Sequence, residues 1–423
     1  MKVRIVGILL LGIAAGGLAA RAGTVTDRVP RVTAQSDSGT SGDVAVNTRP
    51  LPDPNQGRIP IFEPGIITES GSYYLARDLV GTTNPVLVIA AERVTLDLNG
   101  HSITGPADLP GDVVVMQNPA KWLRILNGSV SAGSQSNCFT GKATDSHISI
   151  EGVQFSCGYS AASVTGSADF AFVRNGVRAD RNAISISGVF STQIRDNLIG
   201  QIGDDPLVCG IRLTGVRGGM IANNTVHCDS YYGAGLDLDG GGTSSYGPGL
   251  VVQENSVVGC DTIDALFIGG GLHVTVRDNN FIGFRYALQV NTNGNRIVGN
   301  NVTYCMEGGS VSDGVSILGS DNVFSGNLIH GYLNPLSISG NANRIEDNSI
   351  LGYLAGAGTR VSGSYNQLEA NRIDGSTSTG GVGISLTSSS SNNIYRNNVL
   401  RGNPGGALVD EGTDNTDGGG NIP

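Results

Sequence analysis

Short apolar runs alternate with turns along this chain, and inside each run apolar and polar residues alternate one by one. In Gly235-Leu236-Asp237-Leu238-Asp239-Gly240 the leucines share one face and the carboxylates the other, which predicts a short strand with one buried side. Similar runs recur as AISISG at 183, GIRLTG at 210, ALFIGG at 265, ALQVNT at 287, GVSILG at 314, PLSISG at 335, GISLTS at 383 and ALVDEG at 407. Aligned as one parallel sheet, their outward row reads Ser185, Arg212, Asp237, Phe267, Gln289, Ser316, Ser337, Ser385, Val409. A second unit, an Asn or Gly followed by an aliphatic, recurs at Asn99, Asn127, Gly152, Asn175, Asn197, Asn224, Asn255, Asn280, Asn301, Asn327, Asn348, Asn371 and Asn398. Successive members lie 21 to 31 residues apart, the length of one coil in a three-sheeted solenoid. Coils stack about 4.8 Å apart, so thirteen such units predict a rod roughly 60 Å long. The stacked Asn side chains are expected to point inward and to satisfy backbone groups in tight turns.

Repeat architecture lets 423 residues form one domain, because each unit packs only on its neighbours. Composition agrees: 64 glycines, 5% aromatic and 15% charged residues suit turn-rich β structure and exclude a coiled coil. The expected layout is a signal peptide over 1–22, a flexible leader over 23–60, a β-helix with an N-terminal cap over 61–410 and a polar tail over 411–423. Lys2 and Arg4 before an apolar run, then Ala20-Arg21-Ala22, give the signal-peptide pattern and point to a secreted or periplasmic protein. A net charge of -10 argues against nucleic acid and anionic membrane surfaces as partners.

Ser-Gly-Ser-Tyr-Tyr-Leu at 70–75, followed by Val-Thr-Leu-Asp-Leu-Asn-Gly-His-Ser-Ile-Thr-Gly at 94–105, resembles the first coils of secreted bacterial right-handed parallel β-helix proteins of the pectin-lyase-like superfamily. The resemblance implies an all-β, single-stranded right-handed parallel β-helix acting on or binding carbohydrate. In an exported chain the six cysteines, Cys138, Cys157, Cys209, Cys228, Cys260 and Cys305, are expected to pair, nearest neighbours suggesting Cys138–Cys157 and Cys209–Cys228.

Turns lengthen between 199 and 313, and long loops on one side of a rigid repeat are where binding sites are built. Tyr231, Tyr232, Tyr246, Tyr286 and Tyr304 fall on or beside these loops, where they could stack on sugar rings or simply pack the loops. Three readings compete. Elimination or C5-epimerisation of an acidic polysaccharide needs a charge neutraliser and a base, for which Arg212 or Arg285 and His227, Tyr231 or Tyr286 are candidates. Glycoside hydrolysis needs two carboxyls in different protonation states, available from Asp204, Asp205, Asp237 and Asp239. That set resembles polygalacturonase-type β-helices, whose Gly-His-Gly and Arg-Ile-Lys motifs this chain lacks. Passive carbohydrate binding is the third reading, and Asp204, Asp205, Tyr232, Tyr246, Tyr286, Gln289 and Tyr304 are the candidate substrate contacts of the cleft. Asp237, Asp239, Asp261 and Asp264 could together hold Ca²⁺, although their spacing matches no fixed calcium loop. His101, His147, His273 and His330 read as surface or turn residues, and Trp122 as packing under the N-terminal cap.

Overall fold

The computed structural model describes residues 57–117, 121–142, 146–202, 209–228, 233–239, 249–270, 273–304, 313–354, 356–376 and 379–423, with backbone alone at 201–202 and 260–263. The segments expected to be a signal peptide, 1–22, and nearly all of a leader, 23–60, lie outside these residues. So do Asp204, Asp205, Tyr231, Tyr232, Tyr246, Cys305 and the side chains of Cys260 and Asp261.

The coil at Ser191 shows the plan. Ser191–Arg195 lies in the first sheet, a tight turn leads to Leu198–Ile202 in the second, and Cys209–Thr214 lies in the third before the chain re-enters the first at Gly219–Ala222. Each strand pairs in parallel with its counterparts one coil before and after, which is a parallel β-helix. Among the described residues there is no helix.

Register explains how sequence alternation becomes a core. Ile194, Ile221, Val252, Val276, Ile297, Phe324, Ile345, Leu368 and Tyr395 stand one above another along the first sheet. All are buried. Burying one such side chain stabilises by about 1.5–3 kcal/mol, so the core gains with every coil added.

The Asn turns follow a finer rule than the sequence spacing alone suggests. A residue with left-handed backbone comes first, and a buried Asn follows it: Asp196 (φ 60°) before Asn197, Asp278 (φ 56°) before Asn279, Asp347 (φ 57°) before Asn348. From Asn197 onward each Asn side-chain oxygen accepts the backbone N–H of the Asn one coil earlier, as in Asn197 N to Asn224 Oδ1 (3.1 Å) and Asn300 N to Asn327 Oδ1 (2.9 Å). Asn280 and Asn301 are therefore one residue past the ladder, whose members are Asn279 and Asn300. Asn99 and Asn127 occupy the left-handed position itself (φ 53° and 54°) and are exposed, so neither points inward. A second ladder at the turn into the first sheet runs through Asn295, Asn322, Asn343, Asn366, Asn393 and Asn415.

The coils run past 410. Thr416–Asp417 pairs with the strand Ile394–Arg396, while Asn415 and Asn421 end the two ladders. Cys138 and Cys157, 19 residues apart, form a disulfide between the third and second sheets (Cα–Cα 5.8 Å). Cys209 and Cys228 are not joined to each other, since Cys209 Sγ lies 3.6 Å from Asp237 Oδ2 on the next coil.

Candidate functional site

The third sheet brings the candidate chemistry together because its coils stay in register. Ser185, Arg212, Asp237, Phe267, Gln289, Ser316 and Ser337 form one outward row, and the row continues through Arg360 to Ser385 and Val409. Arg360, on Ala357–Val361, is the member that the repeat alignment missed. Its strand reads Ala-Gly-Thr-Arg-Val, where Thr359 takes the inward place that an aliphatic holds elsewhere. A second row aligns Ala234, Asp264, Tyr286, Asp313 and Asn334.

Arg212 Nε lies 3.4 Å from Asp237 Oδ2, with 37% of the Arg212 side chain and 13% of the Asp237 side chain exposed. Burial holds the pKa of Asp237 above the ordinary carboxylate value, and the Arg212 guanidinium offsets only part of the rise. One coil on, Asp264 is held in a drier setting. Burial first and the charge of Asp237 second push its carboxyl up to about 7, and its buried Oδ1 has no hydrogen-bond partner among the described residues. Two carboxyls on adjacent coils thus differ in how readily they ionise, and the Arg212 guanidinium stands beside the first of them. Burial likewise pushes the Cys209 thiol up to about 12, so it stands by as a neutral group.

Below Asp264 the second and third sheets merge. Ser256–Ile268 and Asn280–Val290 each run unbroken round the corner, with a register shift between Val258 and Thr262. Gly283 makes the corner fit: its φ is 83°, and a Cβ there would stand 2.1 Å from the Gly259 carbonyl oxygen. This corner carries Asp264 and Tyr286 toward the Arg212 row.

Other sequence candidates are placed differently. His227 is exposed on the second-sheet strand Thr225–Cys228, a different face from Arg212. Arg285 precedes Tyr286 on the same strand, and Asp239 pairs in register with Thr214 at the end of its own. Tyr304 is a core residue: it is buried, with its ring 5.4 Å from that of Tyr332, so it offers no platform to a sugar. Among the described residues no group of three or more His, Cys, Asp or Glu could hold a metal ion.

A separate groove of about 1060 Å³ lies on the first sheet of the N-terminal coils, lined by Trp122, His147 and Asp169 among others. Trp122 is 51% exposed rather than packed under a cap. His147 is part of the same groove, not an isolated surface residue.

Residues 286–419 match the family model described as a right handed beta helix region. No curated protein matches the chain by sequence. Solved structures similar to it include a mutant of the periplasmic alginate epimerase AlgG, at 11% identity over 85% of this chain and 79% of that one, with a TM-score of 0.38. They also include the Azotobacter vinelandii mannuronan C-5 epimerase AlgE6 A-module (14% identity, 85% and 90% coverage, TM-score 0.27). A third is the Yersinia enterocolitica Family 28 exopolygalacturonase (9% identity, 85% and 72% coverage, TM-score 0.32). With the parallel registers described above, the family match identifies the fold: the chain is a right-handed parallel β-helix.

Proposed function

We propose that this is an exported, carbohydrate-active enzyme that works on an acidic polysaccharide by elimination or C5-epimerisation at the outer face of the third sheet. One observation carries the reading: an Arg212–Asp237 pair beside Asp264, whose carboxyl keeps its proton up to about pH 7. With Asp237 ionised, Arg212 charged and Asp264 neutral, the three groups sum to zero charge, so a uronate can approach without meeting an excess of anions. Arg212 neutralises the uronate carboxylate, which makes the proton on the adjoining carbon removable. Asp237 accepts that proton. In elimination the carbon–oxygen bond to the next sugar then breaks, a carbon–carbon double bond forms, and Asp264 protonates the departing oxygen. In epimerisation a proton returns to the same carbon from the opposite face. Tyr286, 37% exposed and in register with Asp264, is placed to contact the sugar.

Hydrolysis is the second reading, favoured by the same split in ionisation, since a glycosidase uses one protonated and one ionised carboxyl. It gives Arg212 no task. The discriminating experiment incubates the mature protein with plant, algal and bacterial polysaccharides, with and without Ca²⁺, following absorbance near 235 nm, reducing ends and proton NMR. Absorbance marks elimination, reducing ends without absorbance mark hydrolysis, and NMR change with neither marks epimerisation. Arg212→Ala and Asp264→Asn are each expected to lower turnover by about a hundredfold, the usual scale for losing an electrostatic or proton-transfer partner. Full activity in both variants removes the assignment of this site. If the protein retains a polysaccharide in pull-down but changes none, the enzyme reading falls to carbohydrate binding alone.

A further inference from the structure

The groove on the first sheet is built by the same register that builds the core. Arg93, Trp122, His147, Asp169 and Ser191 are aligned partners on five successive coils, all facing outward because Val94, Leu123, Ile148 and Phe170 beside them face in. The Trp122 and His147 rings are stacked, centroids 3.8 Å apart and planes 14° from parallel. His147 is in turn fixed by Asp169, with Nδ1 2.6 Å from Oδ2. The indole, half exposed, is thereby held in one orientation without being covered.

Charge in the groove is uneven. Lys121 pairs with Glu92 at 3.9 Å and Arg124 with Glu151 at 3.1 Å, whereas exposed Arg93 meets no carboxylate among the described residues. A second outward row runs parallel to the first: Ser72, Thr95, Arg124, Ser149, Ala171 and Gln193. At about 4.8 Å per coil, five steps span roughly 24 Å of hydroxyl, guanidinium and amide groups. An apolar ring face, a cation and a ladder of hydrogen-bonding groups along one line suit a chain of sugar rings that carry carboxylates.

We infer that this groove is a binding site for a uronate-bearing oligosaccharide, with the Trp122–His147 stack as its platform and Arg93 as the partner of a sugar carboxylate. It is separate from the third-sheet chemistry and does not rest on it. Trp122 is the only tryptophan in the chain, so tryptophan emission, excited selectively over tyrosine, reports on the groove alone. The test titrates the mature protein with oligogalacturonate, oligomannuronate and oligoguluronate, with neutral cello-oligosaccharide and with polyglutamate. The Asp264→Asn protein is titrated in parallel, so that loss of turnover and loss of binding are read separately. Saturable change in emission with at least one uronate oligomer, little with the neutral sugar or polyglutamate, and an affinity about tenfold lower in Arg93→Ala is the expected result. Calorimetry should show one class of uronate site lost in Trp122→Ala while the third-sheet site is kept, and circular dichroism of that variant reports whether it folds. Equal responses to polyglutamate would reduce the groove to a charge contact, and equal responses to the neutral sugar would remove the role of Arg93. Either overturns the inference, as does the absence of any response to the uronates.

Discussion

A single carboxyl, Asp264, carries a cost that can be measured. Its folded pKa of about 7 lies above the ordinary value of 3.8, so the folded chain holds this proton more tightly than the unfolded one. Below about pH 4 both states are protonated and the full stability is present; as pH rises toward 7 the unfolded chain ionises first and stability is lost. Asp264→Asn, which cannot ionise, should therefore raise Tm by several degrees over the parent at pH 8, with the gap closing toward pH 4. A thermal shift series across that range checks it, and a constant offset would contradict the raised pKa. The Asn ladder gives the opposite case. In Asn327→Ala the buried Asn300 N–H (2.9 Å to Asn327 Oδ1) loses its partner, and the Ile297 carbonyl loses the donor that Asn327 Nδ2 supplies at 3.1 Å. Leaving that buried N–H unpaired should cost about 1–3 kcal/mol, measurable by urea unfolding. Sequence alone showed that an Asn recurs but not which one turns inward, because Asn279-Asn280 and Asn300-Asn301 are doublets. The choice depends on backbone handedness at Asp278 and Gly299, which spacing does not carry.

At the level of strands, strict alternation made the facing of each residue legible. Arg212, Asp237 and Gln289 share a row because Ile211, Leu236 and Leu288 fix the inward positions, and the registers bear this out. The same rule was available at Trp122-Leu123-Arg124-Ile125: inward Leu123 and Ile125 put Trp122 outside. Burial of this lone tryptophan under a cap would run against the parity of its own strand. Asp264 was less legible as an acid. Nothing local marks it, since its raised pKa comes from burial at a corner where two sheets fuse and from Asp237 one coil away. A group whose ionisation is set by the next coil should also set the pH profile. In the elimination reading kcat/KM is expected to fall as pH rises through about 7 and Asp264 loses its proton, a limb that should vanish in the residual activity of Asp264→Asn.

For the whole molecule, in-register stacking means that a coil is a unit that can be removed, because it touches only its two neighbours. The coil from 327 to 347 is bounded by Asn327 and Asn348, which are 21 residues apart and occupy equivalent places in one ladder. Deleting 327–347 removes Leu328–His330, Asn334–Ile338 and Arg344–Glu346, one strand from each sheet. Gly326, already left-handed at φ 64°, then precedes Asn348 as it preceded Asn327, and Asn348 Oδ1 can accept the Asn300 N–H. The stacked core also closes, with Phe324 and Ile345 replaced by Phe324 meeting Leu368 in the same row. The shortened protein is expected to keep the circular dichroism of the parent and to unfold in one transition, with Tm lower by only a few degrees. Deleting 327–336, about half a coil, leaves every later strand under the wrong sheet and takes Asn327 from its ladder without a substitute. That variant should fail to fold, with its product insoluble or without a thermal transition. If the two deletions behaved alike, the coils would not be interchangeable, and stability in this rod would reside in contacts longer than the reach of one turn.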